Sequence, residues 1–351
     1  MFVKNIHYNF YQYKRYICKK MNICLFKKYN YIILMAIWIE KYRPSNFDNI
    51  IGQDKNINII DMMISKGSLP HMLFHGPSGV GKTSTIMSIA NKLYGKNKTF
   101  MMMKLDASDD RGISTVREEI KGFAEKITPF NIGIKLIILD EADSMTYDAQ
   151  FALRRIIEKY SDTTRFCLIC NYENKIIPPI KSRCVNFRFY PINNKIISSR
   201  LKYIAKNENL NCMADSINAI ACISNGDLRK AINILHSVSM MNKPISPTLC
   251  YNVCGIIDPI IIKTIYDKLV DKESTFEETY EYLRKHILET GISLNFILHQ
   301  LTRHMVEDID NIQFTNIISE MSKLESYISV STFNDIYVVG LVAIFKKYYS
   351  P

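Results

Sequence analysis

The first 34 residues contain no aspartate or glutamate, although lysine and arginine occur there seven times (Lys4, Lys14, Arg15, Lys19, Lys20, Lys27 and Lys28). Most of the formal net charge of +11 is therefore local. Beyond residue 34, 38 basic residues stand against 34 acidic ones, so bulk charge is weak evidence for nucleic acid. Any such site has to be argued from placed residues. Serine is also absent from residues 1–36, while tyrosine and phenylalanine are frequent. That composition suits an organellar presequence poorly. A disordered basic tail, or a start codon placed too early with Met21 and Met35 as alternatives, suits it better, and all three readings stay open. No apolar run reaches the roughly 18 residues needed to span a bilayer, so no membrane partner is expected.

Paired cysteine pairs are lacking as well. The nine cysteines fall at 18, 24, 167, 170, 184, 212, 222, 250 and 254. Cys167 and Cys170 look like half a zinc site, but they sit on a strand pattern, where positions three apart point to opposite faces. Free structural cysteines in a reducing compartment are expected. Internal repeats and low-complexity linkers are missing too. The chain is 351 residues long, which argues for two or three domains. Its 47% hydrophobic and 23% charged content is ordinary for a globular protein.

What is present centres on Leu73 to Ser84, LFHGPSGVGKTS. Gly76, Gly81, Lys82 and Thr83 fill the pattern G-x-x-x-x-G-K-[ST]. An apolar run, Met72 to Phe74, precedes it, and a helical pattern from Ser84 to Leu93 follows. Glycines let the backbone turn several N–H groups toward one phosphate chain, and the helix start adds a dipole that favours anions. Gly76, Pro77, Ser78, Gly79, Val80, Gly81, Lys82, Thr83 and Ser84 are thus candidate ATP-binding residues. Lys82 would face the β- and γ-phosphates, and Thr83 would ligate Mg²⁺.

From Met72 onward, short apolar runs at 72–75, 101–105, 135–139 and 166–170 alternate with helical patterns at 116–127 and 147–160. Alternation of this kind predicts a parallel sheet covered by helices on both faces. The runs end at the phosphate loop, Asp106, Asp140–Glu141 and Asn171, so polar residues gather at the carboxyl edge, where α/β sheets bind ligands. In LIILDEAD (136–143) the acidic pair completes a nucleotide site. Asp140 would hold Mg²⁺ through its water shell, and Glu141 would activate water as a general base. A solvated acidic turn is the plain alternative, and the phosphate loop upstream outweighs it. Residues 194–240 read as short helices, with Arg229 in the first turn of a helix starting at 228. From about 248 to 349 the pattern is all-helical, and Ser246–Pro247 marks the boundary.

Six stretches together resemble the AAA+ clamp-loader small subunits of replication factor C, of the type numbered subunit 5 in human and subunit 3 in budding yeast. They are WIEKYRP (38–44), GPSGVGKTS (76–84), LDASDDRGI (105–113), LIILDEAD (136–143), TRFCLICNYENKIIPPIKSRC (164–184) and GDLRKAINIL (226–235). The resemblance implies an AAA+ P-loop module (37–192), a small helical lid (193–247) and a helical collar that mediates assembly (248–351), with residues 1–36 outside it. It implies that Ile39, Arg43 and Ile51 line the adenine end, that Asn171 is sensor 1, and that Arg229 is sensor 2. Arg183 becomes an arginine finger given to the neighbouring subunit's ATP. Arg111, Arg117 and Lys175 become contacts to primer–template DNA; on the residues alone, the first two read as ordinary surface arginines. The implied partners are the other subunits of a hetero-pentamer and a sliding clamp, in the nucleus. Two other readings compete. One is a scaffold subunit with little turnover of its own, which Glu141, Asn171 and Arg229 argue against. The other is a different AAA+ DNA-remodelling ATPase, such as a branch-migration helicase, which the Ser182-Arg183-Cys184 motif and the helical C-terminus argue against.

Overall fold

The computed structural model describes residues 38–107, 113–126, 133–241, 243–306, 312–330 and 335–349. The basic N-terminal stretch and Arg111 lie outside these ranges, as does the side chain of Arg117. Two compact units emerge among the described residues, one drawn from those up to 211 with 220–241, the other from 212–219 with those beyond 242.

The first unit opens with a single helical turn, α1 (Trp38–Lys41), and a helix, α2 (Asp54–Ser65). Five strands follow: β1 (Met72–His75), β2 (Met102–Asp106), β3 (Lys135–Asp140), β4 (Thr164–Cys170) and β5 (Val185–Arg188). They form one sheet in the order β2-β3-β4-β1-β5, and every pairing is parallel. The intervening helices are α3 (Lys82–Tyr94), α4 (Lys98–Met101), α5 (Ile113–Glu125), α6 (Tyr147–Lys159) and α7 (Pro178–Lys181).

Side-chain alternation along the strands feeds two separate cores. Met72, Phe74, Leu136, Ile138, Cys167 and Ile169 pack on one face with Ile86 and Ile89 of α3 and Ile60 of α2. Leu73, Ile137, Leu139, Phe166, Leu168 and Cys170 pack on the other with Ile120 of α5 and Leu153 and Ile157 of α6. Burial on both faces is what the continuous apolar runs encode. Truncating any of these leucines or isoleucines to alanine costs roughly 2–5 kcal/mol.

The apolar pattern predicts four strands, and β5 is a correction to it. Its residues read Val-Asn-Phe-Arg, and only Phe187 is buried. An edge strand with one inward side chain carries too little periodicity to stand out. The helix read at 116–127 begins earlier, at Ile113, and ends at Glu125. The segment after β4 contains the turn α7, with Pro178 and Pro179 in its first two positions, where a missing N–H costs nothing.

Three helices complete the region after the sheet: α8 (Asn194–Asn207), α9 (Ala214–Ser224), through which the division between units runs, and α10 (Leu228–Ser239). The second unit is helical, as its sequence reads. It comprises α11 (Pro247–Cys254), α12 (Pro259–Val270), α13 (Phe276–Thr290), α14 (Leu294–Val306), α15 (Ile312–Val330) and α16 (Asp335–Tyr349). Leu269, Leu283, Leu301, Ile317, Leu341 and Phe345 form its core. Thr275 and Glu278 close a reciprocal capping box on α13. Among the described residues no single helix is long and apolar enough to cross a membrane.

Candidate active site

β1 runs into the loop from Gly76 to Gly81, and α3 begins at Lys82. Gly76 has φ +143°, and a Cβ there would lie 2.2 Å from the carbonyl oxygen of Phe189, so no side chain fits. Lys82 is 7% exposed. Its ammonium donates to the carbonyls of Gly76 (2.6 Å) and Pro77 (2.7 Å) and to Asn171 Oδ1 (2.9 Å). Burial pushes its pKa down from the usual lysine value, while Cys170, Asp140 and Asp143 pull it back up. Three acceptors around one buried cation keep it charged and aimed along the loop.

The acidic side of the site comes from β3. Thr83 Oγ1 donates to Asp140 Oδ2 at 3.2 Å. Lys104, on the neighbouring strand β2, pairs with the same oxygen at 3.0 Å. A hydroxyl and a carboxylate converging at the phosphate loop are the hard oxygen donors that Mg²⁺ takes together with substrate phosphates. Among the described residues no group of three or more His, Cys, Asp or Glu is arranged to hold a metal by itself. Glu141 is exposed and adopts φ +54°, an uncommon conformation for a side chain with a Cβ. Asp143 Oδ2 accepts the backbone N–H groups of both Asn171 and Tyr172, each at 3.1 Å. One carboxylate oxygen thereby fixes the β4 terminus that presents Asn171 to Lys82.

Asp140, Glu141 and Asn171 border one cavity of about 500 Å³, together with Ile39, Arg43, Ile51, Ser78 to Ser84 and Arg229. Trp38 on α1 stacks on His236 of α10 with ring centroids 4.5 Å apart. Lys41 pairs with Glu208 at 2.6 Å, and Arg200 donates to the Tyr42 carbonyl at 3.0 Å. Those contacts hold α1, and with it Ile39 and Arg43, beside the cavity. Ile192, Leu228 and Ile232 add an apolar wall. A larger groove of about 880 Å³ between α5 and α6 is lined by Glu118, Lys121, Arg154 and Arg155 and has no phosphate-loop backbone.

Arg183 is not in the cavity. It forms an ion pair with Glu158 of α6, and its Nη1 donates to the Pro179 carbonyl at 2.6 Å. Arg154 donates to the same Glu158 oxygen at 3.0 Å. Lys175 is exposed, with its Nζ 5.2 Å from the centroid of the Tyr172 ring. Cys167 and Cys170 fall in opposite cores, so the two thiols do not face one site, and burial pushes the Cys170 thiol up to about 12. Sequence reasoning assigns no part to Lys104, Asp143 or Asp227. The last two lie inside LIILDEAD and GDLRKAINIL, and Lys104 gives no local signal at all.

A parallel sheet with its phosphate loop after β1, an acidic pair after β3 and a polar residue after β4 defines a P-loop ATPase of the AAA+ class. Residues 72–192 match the ATPase family associated with various cellular activities (AAA), 199–240 the RCF1/5-like AAA+ ATPase lid domain, and 257–343 the replication factor C C-terminal domain. The chain is 44% identical over 314 residues to a probable replication factor C subunit 5 of Dictyostelium discoideum, covering 88% of this chain and 90% of that protein. It is 39% identical to replication factor C subunit 5 of Homo sapiens, covering 88% and 91%. With the replication factor C small subunit of Picrophilus torridus the identity is 40%, over 88% and 97%. A point mutant of RuvB from Thermotoga maritima shares the fold, with a TM-score of 0.50 at 18% identity over 69% of this chain and 85% of that one. The chain belongs to the replication factor C small-subunit family and is an ATPase clamp-loader subunit.

Proposed function

We propose that this chain binds and hydrolyses ATP with Mg²⁺ as one member of a nuclear hetero-pentamer that loads a sliding clamp onto primer–template DNA in replication and repair. The observation that carries the reading is the convergence of Lys82, Asp140, Asn171 and Arg229 on one cavity. Lys82 exchanges the Gly76 and Pro77 carbonyls for β- and γ-phosphate oxygens. The backbone N–H groups of the loop and the start of α3 hold the remaining phosphate charge. Thr83 and Asp140 would hold Mg²⁺, which would supply positive charge against the charge that develops on the phosphates. Asn171, fixed by Asp143, orients the attacking water, and Glu141 takes its proton. Ile39, Arg43 and Ile51 seat the adenine. Arg229 contacts the phosphates from α10.

Arg183 serves the neighbouring subunit's ATP and leaves Glu158 when that site forms. Arg111, Arg117 and Lys175 contact DNA phosphates and read no bases. The deciding experiment is Glu141→Gln, assayed within the assembled complex. ATP binding is expected to persist, while hydrolysis at this site slows by at least ~10²-fold, the scale of a lost general base. Normal turnover would show that another group activates water. Native mass spectrometry of the complex is expected to give five subunits, and a homohexamer would sink the assembly reading.

A further inference from the structure

We infer that Asp227 is a positioning residue that fastens the Arg229 helix to the phosphate loop, with Ser78 as its partner. Asp227 stands one residue before α10, and its two carboxylate oxygens serve different elements. Its Oδ1 accepts the Lys230 backbone N–H at 2.9 Å, capping α10. Its Oδ2 accepts the hydroxyl of Ser78 at 2.9 Å, across 149 positions of sequence. A third bond parallels these, from the Leu228 N–H to the Gly79 carbonyl at 3.2 Å. The fit is tight on the loop side. A Cβ on Gly79 would lie 1.7 Å from Asp227 Oδ1, so Gly79 is required for the carboxylate's seat as well as for its own φ of +65°.

The other side of the junction is equally fixed. The Gly226 carbonyl accepts the Ile192 N–H at 3.1 Å, and a Cβ on Gly226 would sit 2.6 Å from Pro191 Cβ. The start of α10 is therefore pinned between the 191–192 segment and the phosphate loop. Arg229 lies two residues beyond Asp227, in the first turn, and its charge is felt at Lys82, whose pKa it helps to lower. A cap bond sets the direction of a helix's first turn, and the Ser78 bond ties that turn to the loop. Preorganisation of this kind removes an ordering cost that nucleotide binding otherwise bears. The consequence for Arg229 rests on its proposed role as the lid's phosphate sensor; the latch itself does not.

The test uses the full chain with Ser78→Ala, Asp227→Ala and Asp227→Asn. Amide hydrogen exchange is followed first without nucleotide. Ser78→Ala is expected to speed exchange at Leu228 by about threefold or more and to leave Lys230, still capped, unchanged. Affinity for ATP and ADP is measured next. Ser78→Ala should weaken ATP by roughly two- to tenfold, the range of one hydrogen bond's net contribution. Asp227→Ala should weaken ATP more than ADP, because Arg229 is displaced. Asp227→Asn, whose Oδ1 still caps Lys230 and whose Nδ2 can donate to Ser78 Oγ with the bond reversed, should restore the ATP preference. Unchanged Leu228 exchange in Ser78→Ala overturns the latch. So does a rise at Leu228 and Lys230 together with a general fall in melting temperature. Loss of the latch with ATP preference intact overturns the positioning role alone. A chain that binds no nucleotide at all would overturn the proposed function and leave the exchange result standing.

Discussion

His71 Nδ1 accepts the backbone N–H of Phe166 at 3.1 Å, which requires that nitrogen to be unprotonated. Burial, with the Arg165 charge beside it, pushes the imidazole from 6.5 down to about 4. As pH falls, the unfolded chain takes up the proton first, at about 6.5, and the folded chain resists until about 4. The stability this neutral histidine supports is thus full above pH 6.5 and is lost on the way down to about 4. The melting temperature of the full chain should drop across that window, and His71→Gln should flatten that part of the profile; an unaltered slope would assign it to other groups. At this scale the sequence is legible where chemistry is local. Lys82, Thr83 and the Asp140–Glu141 pair announce themselves by spacing. Lys104 does not, because it meets Asp140 only through the placement of β2 beside β3, and no spacing encodes that neighbour.

Among the elements, α5 ends on a borrowed cap. Lys135, at the start of β3 and 5% exposed, donates to the carbonyls of Phe123 (2.8 Å), Ala124 (3.0 Å) and Lys126. Lys135→Met would leave these last-turn carbonyls without their partner. An unsatisfied buried group costs about 1–3 kcal/mol, so the melting temperature should fall by roughly 2–4 °C per kcal/mol. No fall would mean that water replaces the ammonium. The segment after β4 carries a second prediction. Arg183→Ala should leave ATP binding by this chain intact and cut hydrolysis at the neighbouring site by ~10³-fold or more. Because Arg183 pairs with Glu158 within its own chain, a purely structural arginine is the competing account. It predicts a lower melting temperature for the isolated subunit with normal hydrolysis next door. The strands β1 to β4 are readable because burial on two faces writes an unbroken apolar run. β5 is not, since its one buried side chain, Phe187, leaves polar neighbours that look like a loop.

At the level of the whole molecule, the proposed DNA contacts make a collective prediction. If Arg111, Arg117 and Lys175 each neutralise a phosphate, removing all three from the assembled complex should lower the salt slope of DNA binding by roughly 2–3, whatever the DNA sequence. An unchanged slope would return them to ordinary surface charges. Neither composition nor net charge points to these residues; resemblance alone does, and only Lys175 has a described side chain. The walls of the nucleotide cavity, meanwhile, come from distant parts of the chain. Ser78 meets Asp227 across 149 positions, and Lys41 meets Glu208 across 167. During synthesis the phosphate loop emerges well before the helix that closes over it. Contacts of such long range form late, because the intervening chain must be ordered first. A ligand that binds only the finished cavity draws that last step to completion by mass action, by about 2.7 kcal/mol at a hundredfold excess over its dissociation constant. If ATP is that ligand, it would act on the newborn chain as a folding partner as well as a substrate.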